Sequence, residues 1–159
     1  MTDQSSQLSF RKASAADIDQ LVELRIKQLV DEGYAEDRNI REDLSSYFSA
    51  NIENGDLICW VGVDVETILA TAGICFYQLP PTFSNPSGRV AYITNMYTDE
   101  RIRKRGTASL LLQKLIAEAK ALNYASVRLH ASEMGKGVYE KAGFFETDGY
   151  MALRLNSDI

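Results

Sequence analysis

Residues 101–112 read RIRKRGTASLLL, so that Arg101, Arg103, Lys104 and Arg105 stand immediately before Gly106 and a run of aliphatic residues. The chain as a whole has a formal net charge of −5, so this knot of cations runs against its background. Leu111, Leu112, Leu115, Ile116, Ala119 and Leu122 recur at helical spacing, which predicts a helix over residues 106–122. The first N–H groups of a helix have no partner within it, and the macrodipole adds positive potential at that end. Gly106 lets a ligand approach the backbone closely. The small Thr107 and Ala108 leave the first amides uncovered. Cations gathered around such an end suit a phosphate or pyrophosphate. A solvated basic turn is the plainer alternative, but mutually repelling cations are easier to account for with a polyanionic ligand. The glycine patterns of P-loop and dinucleotide-binding proteins are both absent.

The composition bounds what else the chain does. At 159 residues, with 45% hydrophobic and 25% charged residues, it fits one globular domain, expected over 8–159 behind a tail of residues 1–7. Its only histidine, His130, and its two cysteines, Cys59 and Cys75, lack the spacing of a metal site, so no metal is expected. Buried free thiols point to a reducing compartment. No run of about 20 apolar residues is present, and the N-terminus lacks the pattern of a secretory signal. These features predict a cytoplasmic protein with no membrane partner. Global acidity and the lack of interleaved stacking aromatics around RIRKR argue against nucleic acid.

The elements that must position the basic turn follow from periodicity and turn residues. Strands are expected over 8–13, 57–64, 67–79, 89–98 and 126–131, with the second and third joined as a hairpin at Val65-Glu66. Ser14 and Asp17 have capping-box spacing ahead of a helix that ends at Gly33. A second helix is expected over 40–52 and a short one over 135–143. FFET and YMALRL flank Asp148-Gly149, a hairpin signal that adds two strands. The fold class is α/β (α+β): a mixed, mostly antiparallel sheet of about seven strands with helices on both faces. The break in alternation at Thr94-Asn95-Met96 is consistent with a bulge.

Two motifs in this frame resemble the GCN5-related N-acetyltransferases (GNAT). Arg103-x-x-Gly106-x-Ala108 matches that family's Arg/Gln-x-x-Gly-x-Gly/Ala loop. SEMGKGVYEKAGF (132–144) resembles its Asn-x-x-Ala-x-x-x-Tyr-x-x-x-Gly-Phe, with Tyr139, Gly143 and Phe144 in place but Ser132 for Asn and Gly135 for Ala. Glu100 stands where a proline is common, and Thr98 where Val is usual. The resemblance implies the acyl-CoA N-acyltransferase fold and an N-acetyltransferase that passes an acetyl group from acetyl-CoA to a primary amine by direct attack in a ternary complex. A non-catalytic acyl-CoA sensor or interaction module is the alternative.

Each site role follows from the same resemblance. Arg103, Lys104, Arg105, Gly106, Thr107 and Ala108 would hold pyrophosphate. The main chain of Met96, Tyr97 and Thr98 would pair with the pantetheine arm, with Ser132 also at the cofactor. The Met96 N–H would be an oxyanion donor, and Tyr139 the general acid toward the leaving thiol. The base stays open: residues 89–98 contain no acid, and Glu133, Asp31, Glu32, Tyr34 and His130 are candidates that each have a plainer structural reading. The acceptor is an amine-bearing small molecule or peptide. A homodimer is compatible.

Overall fold

The computed structural model describes residues 7–147 and 149–155. Its elements, in chain order, are β1 (Ser9–Lys12), α1 (Ile18–Asp31), α2 (Arg41–Asn54), β2 (Leu57–Asp64), β3 (Thr67–Gln78), β4 (Arg89–Thr98), α3 (Thr107–Ala121), β5 (Val127–Leu129) and α4 (Lys136–Lys141). Single 3-10 turns precede α1 at Ala15–Asp17 and follow β4 at Glu100–Ile102.

The five strands lie in sequence order; β1 to β4 pair antiparallel and β4 with β5 parallel. Strand alternation divides the apolar side chains into two cores. Leu57, Cys59, Val61 and Val63 of β2 pack with Leu21, Val22 and Leu24 of α1 and Phe48 of α2. Ala72 and Ile74 of β3, with Ala91 and Ile93 of β4, pack with Leu111, Leu112 and Leu115 of α3. The mixed sheet with helices on both faces is therefore as expected. No helix among the described residues is long and apolar enough to cross a membrane.

Local chemistry fixes the entry to α1. The Asp17 carboxylate accepts from the Ser14 backbone amide at 2.8 Å, as the capping-box spacing requires. Arg11 grips the same carboxylate with two hydrogen bonds, of 2.7 and 2.9 Å. This guanidinium holds the buried Asp17 carboxyl below the usual range.

The sheet has five strands, not about seven. FFET and YMALRL form no strand among the described residues, Asp148 of the expected turn lies outside them, and so do residues 1–6 of the expected tail and 156–159. Phe145, Tyr150, Met151, Leu153 and Leu155 are largely exposed. A hairpin alone is marginal and needs a further strand or a core to cover its apolar face. β5 offers only three paired residues, Val127 to Leu129, as such a neighbour.

Candidate active site at the β4–α3 junction

The turn before α3 is built to leave amides exposed. Lys104 has φ +62° and Gly106 φ +80°, two left-handed residues around Arg105. A Cβ on Gly106 would meet nothing within 4 Å, so the backbone conformation, not crowding, selects glycine. The first intrahelical bond runs from the Leu110 amide to the Gly106 carbonyl at 3.0 Å. The preceding amides of α3 thus have no partner within the helix, and its first turn carries no acid that would compete for them.

The four cations do not act alike. The Arg101 guanidinium is turned onto Asp99, with bonds of 2.7 and 2.9 Å. Asp99 also accepts from the Arg101 amide, and its pKa is held at about 2, mainly by the Arg101 side chain. The Arg103 Nε donates to the Thr98 carbonyl at 2.8 Å, and its Nη2 to Asp31 at 2.9 Å. Its guanidinium also lies 5.8 Å from the Tyr97 ring centroid. The Arg103 side chain therefore braces the turn against β4 and the end of α1. Lys104 and Arg105 make no ion pair among the described residues.

β4 opens at the same place. Its pairing with β3 passes from Gly73–Thr94 to Thr71–Tyr97, which inserts one extra residue on β4. Asn95 carries the distortion at φ +54° and is buried, and its carbonyl accepts from Thr71 Oγ1 at 2.7 Å. On the other side, β4 pairs with β5 only as far as Ile93–Leu129. Beyond that point, no described strand pairs with the β5-facing edge of Met96, Tyr97 and Thr98. The expected bulge and the diverging strands are thus one feature.

α4 brings Tyr139 to this cleft. Its buried ring packs edge-on against Phe144, with centroids 5.9 Å apart, in the cluster that also holds Met96, Ala91 and Ile93. Burial, then the nearby Glu32 and Tyr92, push its hydroxyl up to about 12. The hydroxyl has no hydrogen-bond partner among the described residues, and no fully enclosed side-chain oxygen or nitrogen among them lacks one; it is therefore open to solvent. Ser132 supports α4 from below: its carbonyl accepts from Lys136 at 3.0 Å, and its hydroxyl from the Gly135 amide at 3.2 Å. A Cβ on Gly135 would come within 3.1 Å of the Tyr139 ring and 3.2 Å of the Ser132 hydroxyl. Ser132 and Gly135, the two departures from the motif, are thus matched to each other across one tight turn.

The remaining candidates separate. Glu133 and His130 are exposed. Asp31 and Glu32 close α1 beside the turn before α3 and Tyr139 respectively. Tyr34 lines a cavity of about 180 Å3 with Ile26, Leu29, Val30 and Ile40, between α1 and the loop leading to α2. The sequence gives no local sign of the Asp31–Arg103 contact, which joins residues 72 apart. The bond from Gln28 Nε2 to Glu32 Oε1 has one such sign, the i to i+4 spacing of a helix.

Comparison with known proteins agrees with this geometry. A search of curated proteins finds no match. Among solved structures, a predicted acetyltransferase from Clostridium acetobutylicum, crystallised with acetyl-CoA, is 41% identical, with a TM-score of 0.90 over 93% of this chain and 96% of its own. A GCN5-related N-acetyltransferase from Ralstonia eutropha shares the fold at 23% identity, with a TM-score of 0.83 over 94% and 99% of the two chains. Glucosamine-6-phosphate N-acetyltransferase from Arabidopsis thaliana shares it at 20% identity, with a TM-score of 0.73 over 94% and 99%. The model of the acetyltransferase (GNAT) family matches residues 19–144, which span α1 through Phe144 and so include the bulge of β4, the basic turn and Tyr139; the chain belongs to that family.

Proposed function

We propose that the protein is an acetyl-CoA-dependent N-acetyltransferase acting on the primary amine of a small-molecule or peptide acceptor, by direct attack in a ternary complex. The carrying observation is a coincidence in space. β4 bulges, parts from β5 and runs into an amide-rich basic turn at one point, and Tyr139 shares its cluster with Met96 there. The 41% identical Clostridium protein with acetyl-CoA supports this choice of donor.

Acetyl-CoA, when bound, supplies an activated acyl carbon and a thiolate leaving group. In this reading the amides of residues 104–108, with the Lys104 and Arg105 side chains, hold the pyrophosphate. Arg103 keeps the turn in register with Thr98. The main chain of Met96, Tyr97 and Thr98 lies along the open edge, where it meets the amides of the pantetheine arm. The Met96 N–H serves as the oxyanion donor, a contribution of about 3 kcal/mol in comparable sites. Tyr139 donates a hydrogen bond toward the departing sulfur. Full proton transfer from a phenol at about 12 to a thiolate with pKa ~8.5 would be uphill by roughly 5 kcal/mol, so the hydrogen bond itself does the stabilising.

The test is an amine panel (small polyamines, amino sugars, amino acids and short peptides) with acetyl-CoA, read by thiol release. Amine-dependent release with at least one class is expected. No release above background with any amine, despite saturable acetyl-CoA binding, would replace the enzyme by a sensor.

A further inference from the structure

A chain of hydrogen bonds joins Arg25, Gln28 and Glu32 along the C-terminal half of α1 and its C-cap. Arg25 Nη1 donates to the Gln28 side-chain oxygen at 3.1 Å, and Gln28 Nε2 donates to Glu32 Oε1 at 3.0 Å. Gln28 is buried. Because Arg25 can only donate, it fixes which end of the Gln28 amide faces Glu32. The result is a carboxylate held by one oxygen on a rigid helix. Oε2 has no hydrogen-bond partner among the described residues, and the residue is exposed.

The geometry points to Glu32 as the group that takes the proton from the attacking amine, with Gln28 as the residue that positions it. This inference rests on the reading of the protein as an N-acetyltransferase. An orienting partner behind the base and an unengaged oxygen in front are what proton abstraction requires. The carboxylate lies close enough to Tyr139 to raise the pKa of its hydroxyl. The preceding residue, Asp31, accepts from Arg103 at 2.9 Å, which holds this end of α1 against the turn before α3; there the carboxylate suits the nitrogen and the phenol the sulfur. β4, by contrast, carries no acid anywhere between Arg89 and Thr98.

The step balances simply. The amine nitrogen forms a bond to the acyl carbon while the C–S bond breaks and its electron pair leaves with sulfur. The proton shed by nitrogen goes to Glu32 Oε2 and on to water. Sulfur is stabilised by the Tyr139 hydroxyl and takes its proton from solvent. An acceptor that arrives as an ammonium loses one further proton by the same route. Asp31, one residue away, is not an equivalent base, because Arg103 already holds it.

The charged and titratable groups around Glu32 define how its pH response is read. Arg25 stands behind Gln28 on the same helix, and Asp31 is paired with Arg103 from the turn before α3. Tyr139 of α4 is under the electrostatic influence of both Glu32 and Tyr92 of β4. Both tyrosines have hydroxyls raised above the ordinary value, so at neutral pH they stay protonated.

The test compares wild type, Glu32→Gln, Glu32→Asp and Gln28→Leu in amine-dependent thiol release across pH, together with acetyl-CoA affinity. Glu32→Gln is expected to lower kcat at pH 7 by about 100-fold or more and to leave acetyl-CoA affinity unchanged. The deficit narrows as pH rises toward the amine's own pKa, where the nitrogen needs no base. Glu32→Asp restores part of the rate. Gln28→Leu lowers kcat less than Glu32→Gln, without raising KM for the acceptor. A second readout needs no ligand: the ultraviolet titration of Tyr139, taken as wild type minus Tyr139→Phe, moves to lower pH in Glu32→Gln. Unchanged kcat and pH profile in Glu32→Gln, beside an active wild type, overturn the role of Glu32 alone. An unmoved Tyr139 titration overturns the shared geometry. A wild type inactive toward every amine overturns the acetyltransferase reading and this role with it, even where the titration moves.

Discussion

Tyr139 sits where two demands compete. Its ring belongs to the core on the α3 face of the sheet, while in the proposed reaction its hydroxyl meets the departing sulfur. Burial sets the direction of the pKa shift: the phenolate is the charged form, so desolvation and the nearby Glu32 raise the hydroxyl to about 12. The protonated phenol is the useful donor, and a raised pKa extends its range upward. Tyr139→Phe is accordingly expected to reduce kcat by about 100-fold while acetyl-CoA affinity holds. The kcat of wild type should show no alkaline fall from this group below about pH 11. Steady-state kinetics from pH 6 to about 10.5 beside equilibrium binding measure both. Loss of binding with kcat preserved would make Tyr139 a packing residue. Its core role also makes some loss of stability certain, so the comparison is made on folded protein, with rates normalised to bound acetyl-CoA.

At the level of elements, most boundaries follow from local pattern, and the exceptions have a common cause. β2, β4 and the β2–β3 turn fall where strand formers and turn residues place them, and α3 begins at Thr107 because Gly106 supplies a left-handed start. The bulge in β4 was visible as broken alternation at Thr94-Asn95-Met96. The C-terminal hairpin was not reliable from the same kind of signal: Asp148-Gly149 and alternating apolar residues describe what the segment prefers, whereas a strand also needs a neighbour to pair with, and β5 is short. Arg103 shows the limit within the site. Its motif position was legible, but its partners Asp31 and the Thr98 carbonyl depend on how α1 packs against β4.

The β2–β3 hairpin keeps one local conflict. Its two-residue loop puts Val65 at φ +56°, and the side chain is 93% exposed. A β-branched residue is strained in the left-handed region and here gains no packing in return. Val65→Gly is expected to raise stability by about 0.5–1 kcal/mol, measured by urea unfolding. A loss of stability would show that the freedom glycine adds to the unfolded chain outweighs the strain relieved in the turn.

On the scale of the molecule, a net charge of −5 repels a polyanion, and the β4–α3 turn has to overcome that field locally. Two of the four cations are already neutralised by Asp99 and Asp31, so in the proposed mode of binding the attraction comes from Lys104, Arg105 and the amides at the start of α3. A ligand held this way divides between side-chain charge, which salt screens within about 8 Å at physiological ionic strength, and close backbone contacts, which it screens far less. At a hundredfold excess over Kd, acetyl-CoA should stabilise the fold by about 2.7 kcal/mol. For a domain of this size that is a rise in Tm of roughly 5–10 °C. Adenine nucleotides without the pantetheine arm, matched in concentration, should raise Tm less, because they leave the open edge of Met96–Thr98 unpaired. Added salt should shrink both shifts while preserving their order, and Lys104→Ala with Arg105→Ala should flatten the salt dependence. Equal shifts from acetyl-CoA and from the bare nucleotide would mean that the gap between β4 and β5 takes no part in binding.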